Sequence, residues 1–294
     1  MTLQEALDEY KNIYMPYRNF AERTRVEYLN DLKDLTAFLA KAGIHHVNDL
    51  GLPIIERYVA HLEQREFAGS TRKRKVVVIR SFLSFLYHDG HITTNIAQKV
   101  ILPFTEGSVP HILTQTECDQ LRDACVNSVR DRAIIELLLQ TGIKLSEITN
   151  LTLNDVQLGN RSETQERKIG FIRIGGRGKG ERIIPLNRKA SFALSDYLGV
   201  KKDTGTSILF LNRFGVPLGE RGVQKMLRKY LRSAGIGKAS IHTLRHTFGA
   251  QHIAKGTSTK TIQDVMGLKD TRSMSVYQSL ANEIVRRELQ TNSI

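Results

Sequence analysis

The sequence predicts a mainly α protein in two domains, with one small antiparallel β-sheet confined to the second. Three observations carry this. Residues 1–100 show apolar spacings of three and four with almost no strand-like alternation. The stretch "LPFTEGSVPHILTQTE" (102–117) breaks that periodicity with two prolines and a glycine. Beyond it, one strand pair, "RKIGFIRIGG" and "GERIIPLN", interrupts an otherwise helical pattern. The expected division is a helical domain over 1–101, a linker over 102–113 and a second domain over 114–294.

In the first domain, "TRVEYLNDLKDLTAFLAKAG" (24–43) spaces Val26, Leu29, Leu32, Leu35 and Leu39 for one helical face and stops at Gly43. "LPIIERYVAHLEQRE" (52–66) starts with a proline suited to a first turn. "STRKRKVVVIRSFLSFLYHDG" (70–90) is a third amphipathic helix, with Ser70 as a cap and Gly90 as a stop. Its first turns carry Arg72, Lys73, Arg74 and Lys75, a run expected to face phosphate, although a solvated helix start has the same composition. In the second domain, Thr114 and Glu117 have capping-box spacing. "VRDRAIIELLLQTG" is a helix leading into "QTGIKLSEITNL" (140–151), and further helices follow the strand pair.

Composition narrows the function. In 294 residues, Lys and Arg number 43 against 30 Asp and Glu, a formal net charge of +13, which implies a polyanionic partner. Tryptophan is absent and aromatics are 7%, which argues against a base-stacking single-strand platform and favours the backbone of double-stranded DNA. The two cysteines, Cys118 and Cys125, lie seven apart on one apolar stripe and are expected to pack in a core rather than bind metal or pair. No apolar run approaches the roughly 20 residues a bilayer span needs. The acidic, amphipathic start "MTLQEALDEYKNIY" has the wrong chemistry for a secretory or mitochondrial signal, so a cytoplasmic location without membrane attachment is expected.

"ASIHTLRHTFGAQHI" (239–253) holds the densest chemistry. On a helix, His242, Arg245 and His246 share a polar face, while Leu244 and Phe248 turn inward. Ser240 as N-cap places His242 in the first turn, where free N–H groups favour an anion such as phosphate. Zinc binding by His-x-x-x-His is disfavoured, because the glutamate of a metalloprotease helix is missing and Arg245 lies between the pair.

"HTLRHTFGAQHIAKGTSTKTIQDVMGL" with "TRSMSVYQSL" resembles the C-terminal signature of the tyrosine recombinases, the integrase-type enzymes that share a catalytic domain plan with type IB topoisomerases. "LLLQTGIKLSEITNLTLNDV" resembles their other signature, and "IRIGGRGKGERIIPL" their lysine-bearing β-turn. The blocks stand in family order over about residues 114–285, and residues 1–101 resemble the family's core-binding domain. The short stretch before "RTRVEY" leaves little room for an arm-binding domain, so the resemblance is to the compact Xer-like or transposon cointegrate resolvase type rather than the lambda type.

This resemblance implies that Tyr277 is a nucleophile forming a 3′-phosphotyrosyl link, with Arg245, His242 and residue 144 on the phosphate. It implies that His246 orients the site and that Glu147 holds the residue-144 side chain. It implies no cofactor, duplex DNA as partner, and a homo-tetramer on two sites, with the tail "NEIVRRELQTNSI" packed on a neighbouring protomer.

The sequence departs from the family pattern at three places. Lys144 stands at the first catalytic arginine, keeping the charge and losing the two-pronged geometry. In the hairpin, Arg177 aligns with the general-acid lysine without a gap, and Lys179 does so if the turn is two residues shorter. Lysine can release a proton near neutral pH where arginine cannot, which favours Lys179. Leu268 replaces a His or Trp and can pack but not donate. These departures predict a slowed enzyme, and leave as rivals a non-catalytic sequence-specific DNA binder and a topoisomerase-like activity.

Overall fold

The computed structural model describes residues 1–105, 110–159, 170–175, 180–268, 270 and 272–291. The chain divides into two packed units, Met1–Gly107 and Ser108–Ile294.

The first unit is helical. Helix α1 (Leu3–Glu9) opens on a capping box between Thr2 and Glu5 and runs through a π-helical turn (Tyr10–Tyr14) into α2 (Met15–Tyr17). Helices α3 (Glu22–Lys41), α4 (Leu52–Gln64) and α5 (Gly69–His88) follow. Tyr10, Leu35, Tyr58, Phe82 and Phe85 are fully buried in their common core. Gly43 and Gly90, both with φ +77°, end α3 and α5 as their positions in the sequence require.

Three local expectations are corrected. Val26 is exposed, because it lies ahead of the part of α3 that meets the core, where burial starts at Asp31 and Leu32. Ser70 is not a cap: Ala68, two residues earlier, takes that position, and α5 starts at Gly69, where a Cβ would lie 3.4 Å from the Thr105 methyl. Lys75 is buried, because helical spacing puts it on the inward face of α5 with Ile79, Phe82 and Leu86.

The second unit begins with α6 (Gln115–Ala124), opened by the capping box of Thr114 and Glu117. Helix α7 (Val129–Thr141), capped by Ser128, is almost entirely buried and ends on Gly142 in the left-handed conformation, φ +57°. Helix α8 (Leu145–Asn150) follows at once. The sheet has three strands, β1 (Val156–Gln157), β2 (Phe171–Ile174) and β3 (Arg182–Pro185), in order 1-2-3 and antiparallel throughout. Strand β1 was not legible as a strand, being two residues long. The register pairs Arg173 with Ile183 and Ile174 with Arg182. Helices α9 (Arg188–Val200), α10 (Glu220–Ser233), α11 (Ile241–Ala254), α12 (Thr259–Met266) and α13 (Arg272–Thr291) complete the unit.

Leu113 does not behave as linker: it is buried in the second unit's core, and its N–H donates to Thr247 Oγ1 at 2.8 Å. Cys118 and Cys125 are buried and unpaired, their thiols pushed up to about 11 by burial, which makes them packing residues. None of the described helices is long and apolar enough to cross a membrane.

Candidate active site

The site forms where the end of α7, the start of α8, β3, α11, α12 and α13 meet. Helix α11 is its spine. Ser240 caps it, accepting from Thr243 N, so that His242 lies exposed in the first turn. Arg245 and His246 follow at the next turn, and Gly249 one turn beyond on the same face.

Arg245 is 6% exposed. Its guanidinium donates to the Gly142 carbonyl and, at 2.7 Å, to the Met266 carbonyl. No carboxylate pairs with it among the described residues. Burial pulls its pKa below the ordinary arginine value, and the Tyr277 phenol and the Glu147 carboxylate oppose that shift. Two neutral carbonyls fix the fork, and no carboxylate forms an ion pair with it among the described residues. Gly142 is required twice here: its conformation disfavours other residues, and a Cβ would lie 2.5 Å from the Phe248 ring.

Tyr277, on α13, is 4% exposed and packs with Phe248, Met266 and Met274. Its ring lies 5.3 Å from that of His246, and a Cβ on Gly249 would come within 2.6 Å of it. Gly249 therefore makes the seat for the tyrosine. Burial raises the Tyr277 phenol above its usual range, and the nearby Arg245 opposes that shift. His246 is shifted down, first by burial and then by its neighbours His242 and Arg245, and its buried Nδ1 has no hydrogen-bond partner among the described residues. That direction favours its neutral form.

Lys144 is the N-cap of α8 and is exposed. The family resemblance implies that Glu147 holds the Lys144 side chain. Instead Glu147 Oε2 accepts from the Lys144 backbone N–H at 2.8 Å, and the lysine ammonium makes no ion pair among the described residues. Arg182 occupies the Glu147 carboxylate: Nη1 donates to Oε1 at 3.0 Å and Nη2 to Oε2 at 2.7 Å. Its Nε donates to the Val265 carbonyl at 2.7 Å, and its guanidinium lies against Gly267, where a Cβ would sit 2.9 Å from Nη1. Arg182 pulls Glu147 below its ordinary pKa against the opposing effect of burial. Sequence reasoning missed Arg182 and Gly249. The signal for Arg182 was its place on the inward register of β3, two residues before the buried Ile184.

Leu268 packs against the Tyr277 cluster, and Gln263 donates to its carbonyl at 3.2 Å. Arg177 and Lys179 lie outside the described residues. In the first unit, Arg72 pairs with Glu63, Arg74 with Asp31, and Lys73 donates to Thr105 Oγ1 at 3.5 Å. Lys75 Nζ is held by Asp31 at 3.2 Å and Asp34 at 2.9 Å. Of the four, Lys75 is turned into the protein, away from any phosphate.

A buried guanidinium without an ion-pair partner among the described residues, a tyrosine packed near it and a lysine at a helix start are the groups assembled here. The model of the phage integrase family matches residues 111–283, and that of the phage integrase N-terminal SAM-like domain matches residues 7–90. The chain belongs to the phage integrase family, the tyrosine recombinases, enzymes of DNA strand cleavage and rejoining. It is 30% identical to the tyrosine recombinase XerC of Listeria innocua serovar 6a over 279 residues, 90% of each chain. It is 29% identical to XerC of Oceanobacillus iheyensis, covering 95% of this chain and 94% of that one. Among solved structures, a lambda integrase tetramer bound to a Holliday junction superposes with a TM-score of 0.76 at 19% identity, covering 94% of this chain and 77% of that one. XerH bound to palindromic difH substrate superposes at 0.74 and 17% identity, covering 98% and 84%. These two likenesses are of fold.

Proposed function

We propose that this chain is a site-specific recombinase that cuts and rejoins duplex DNA through Tyr277, acting as a homo-tetramer on two sites. The Tyr277 oxygen attacks the scissile phosphorus, the phenolic proton leaves, and the bond to the bridging 5′-oxygen breaks as the general acid protonates that oxygen. A 3′-phosphotyrosyl link remains. One phosphodiester replaces another, so the bond energy is kept for rejoining and no cofactor is needed. Arg245 clamps the non-bridging oxygens with its fork, His242 donates beside it, and neutral His246 orients the tyrosine. Lys144 adds charge as a single prong. Lys179 is the general acid, with Arg177 as the other occupant of that position. In the first unit, Arg72, Lys73 and Arg74 contact backbone phosphate.

What carries the reading is Arg245: a guanidinium 6% exposed, fixed by two carbonyls and left without a carboxylate, beside a seated tyrosine. A buried charge kept unpaired is costly, and the arrangement suits a site that an anion completes.

The test uses DNA flanking the gene, nicked near a candidate crossover so that cleavage is trapped. An SDS-resistant protein–DNA band that is lost in Tyr277→Phe supports the reading. Specific binding without a band from this chain or from Lys144→Arg would move the assignment to a non-catalytic DNA binder. Relaxation of any supercoiled DNA without paired sites would move it to a topoisomerase.

A further inference from the structure

Lys144 and Glu147 stand three residues apart at the first turn of α8, a spacing at which lysine and glutamate ordinarily pair. They do not pair through the lysine ammonium among the described residues. Both Glu147 oxygens are taken, one by Arg182 alone and the other by Arg182 together with the Lys144 N–H. The Arg182 and Glu147 side chains are 14% and 16% exposed, so the bidentate pair is shielded from competing water and salt. The fork is aimed from behind by the Val265 carbonyl and by the bare Cα of Gly267.

Lys144 itself sits where a lysine does not belong on structural grounds. N-cap positions favour Ser, Thr, Asp or Asn, and a cation there meets the positive end of the helix dipole. A lone ammonium on a flexible stem would be captured readily by a carboxylate three residues away. We infer that Arg182 is a positioning residue that occupies and neutralises Glu147, so that the Lys144 charge stays available to the scissile phosphate. The inference rests on the recombinase reading. With Arg182 present, the Glu147 carboxylate is paired, and neither Lys144 nor Arg245 forms an ion pair with a carboxylate among the described residues. Without it, Glu147 cancels one of the two.

The experiment is single-turnover cleavage of the nicked substrate, with DNA affinity measured separately. Arg182→Ala should slow cleavage about 10²-fold, as losing one preorganised cation does, with affinity little changed. Adding Glu147→Gln should then restore about tenfold of that loss, because the capturing carboxylate is gone. Lys144→Ala should be costly by itself but add little in the Arg182→Ala background. A methylphosphonate at the scissile position, which carries no charge to be clamped, should narrow the gap between wild type and Arg182→Ala.

A purely structural clip predicts the opposite: Glu147→Gln deepens the defect or leaves it, and the neutral substrate closes nothing. Either result overturns the inference. If Arg182→Ala does not fold, Arg182→Lys, which keeps one contact, is read with the same second substitution. A wild-type chain with no Tyr277-dependent band would sink the recombinase reading itself. A normal band without recovery by Glu147→Gln sinks only the role of Arg182.

Discussion

Among the described residues, two centres bury a cation, and they treat it in opposite ways. In the first unit, Lys75 is surrounded by carboxylates: Asp31 and Asp34 hold its ammonium, Arg74 shares Asp31, and Arg65 and Tyr58 donate to Asp34 at 2.8 and 2.9 Å. In the second, Arg245 has neutral carbonyls for partners. Lys75 is 7% exposed and Arg245 6%, so burial alone does not tell them apart. The partner's charge does. A buried ammonium enclosed by carboxylates completes the fold and is closed to a ligand, unlike the exposed Arg74 that shares Asp31. A cation held by carbonyls is fixed in place while its charge remains to be satisfied from outside.

Matched substitutions to methionine test that difference most strongly. Lys75→Met leaves Asp31 buried without its ammonium, and should cost about 3–5 kcal/mol of stability in urea unfolding followed by helical circular dichroism. Arg245→Met removes an uncompensated charge while stranding two carbonyls, so its stability cost should be under about 2 kcal/mol. Cleavage should move the other way, falling about 10²–10³-fold in Arg245→Met when compared at equal folded fraction with Lys75→Met. Equal stability losses in the two variants would break the distinction.

A smaller effect is expected at Gly249. Alanine there must displace the Tyr277 ring or Met266 Sδ, which would lie 2.6 and 3.1 Å from the new methyl. Gly249→Ala should cost about 1–3 kcal/mol, the usual range for overpacking, and slow adduct formation through the displaced nucleophile. Lys144→Arg should act in the opposite sense, raising the single-turnover rate about tenfold by restoring a two-pronged contact. A rate unchanged by Lys144→Arg would mean that residue 144 does not reach the phosphate.

The same contrast explains what the sequence disclosed. The helices of both units were legible because apolar spacing, capping boxes at Thr114 and Ser240, and stops at Gly43 and Gly90 act locally. His242, Arg245 and Tyr277 were singled out by their motif blocks, and their roles are part of the proposal. Long-range pairing was hidden. The run Arg72–Lys75 reads as one basic patch, yet helical phase turns Lys75 inward onto carboxylates 41 and 44 residues earlier. Arg182 looked like an ordinary strand residue, because Glu147 lies 35 positions away and Val265 83. The two-residue β1 exists only through its pairing with β2 and has no period of its own to read.

The smallest effect concerns acid. Lys75, Arg65 and Tyr58 hold the Asp34 carboxyl at about 2 despite the opposing effect of burial, against an ordinary value of 3.8. A carboxylate depressed in the folded state contributes stability that is fully present above its unfolded value and is lost as pH falls toward the folded one. For Asp34 that window runs from about pH 4 down to about pH 2. Glu147 is also depressed, so its pairing with Arg182 weakens in the same direction, starting below its ordinary 4.5. The protection of the α3 and α5 amides, measured against unfolded-chain exchange at the same pH, should therefore fall on acidification through that window, and Asp34→Asn, which cannot titrate, should remove part of the pH dependence. Were the Asn form as pH-sensitive as wild type, the acid response would have to arise elsewhere, and the carboxylate partners of Lys75 would not be what distinguishes that centre from Arg245.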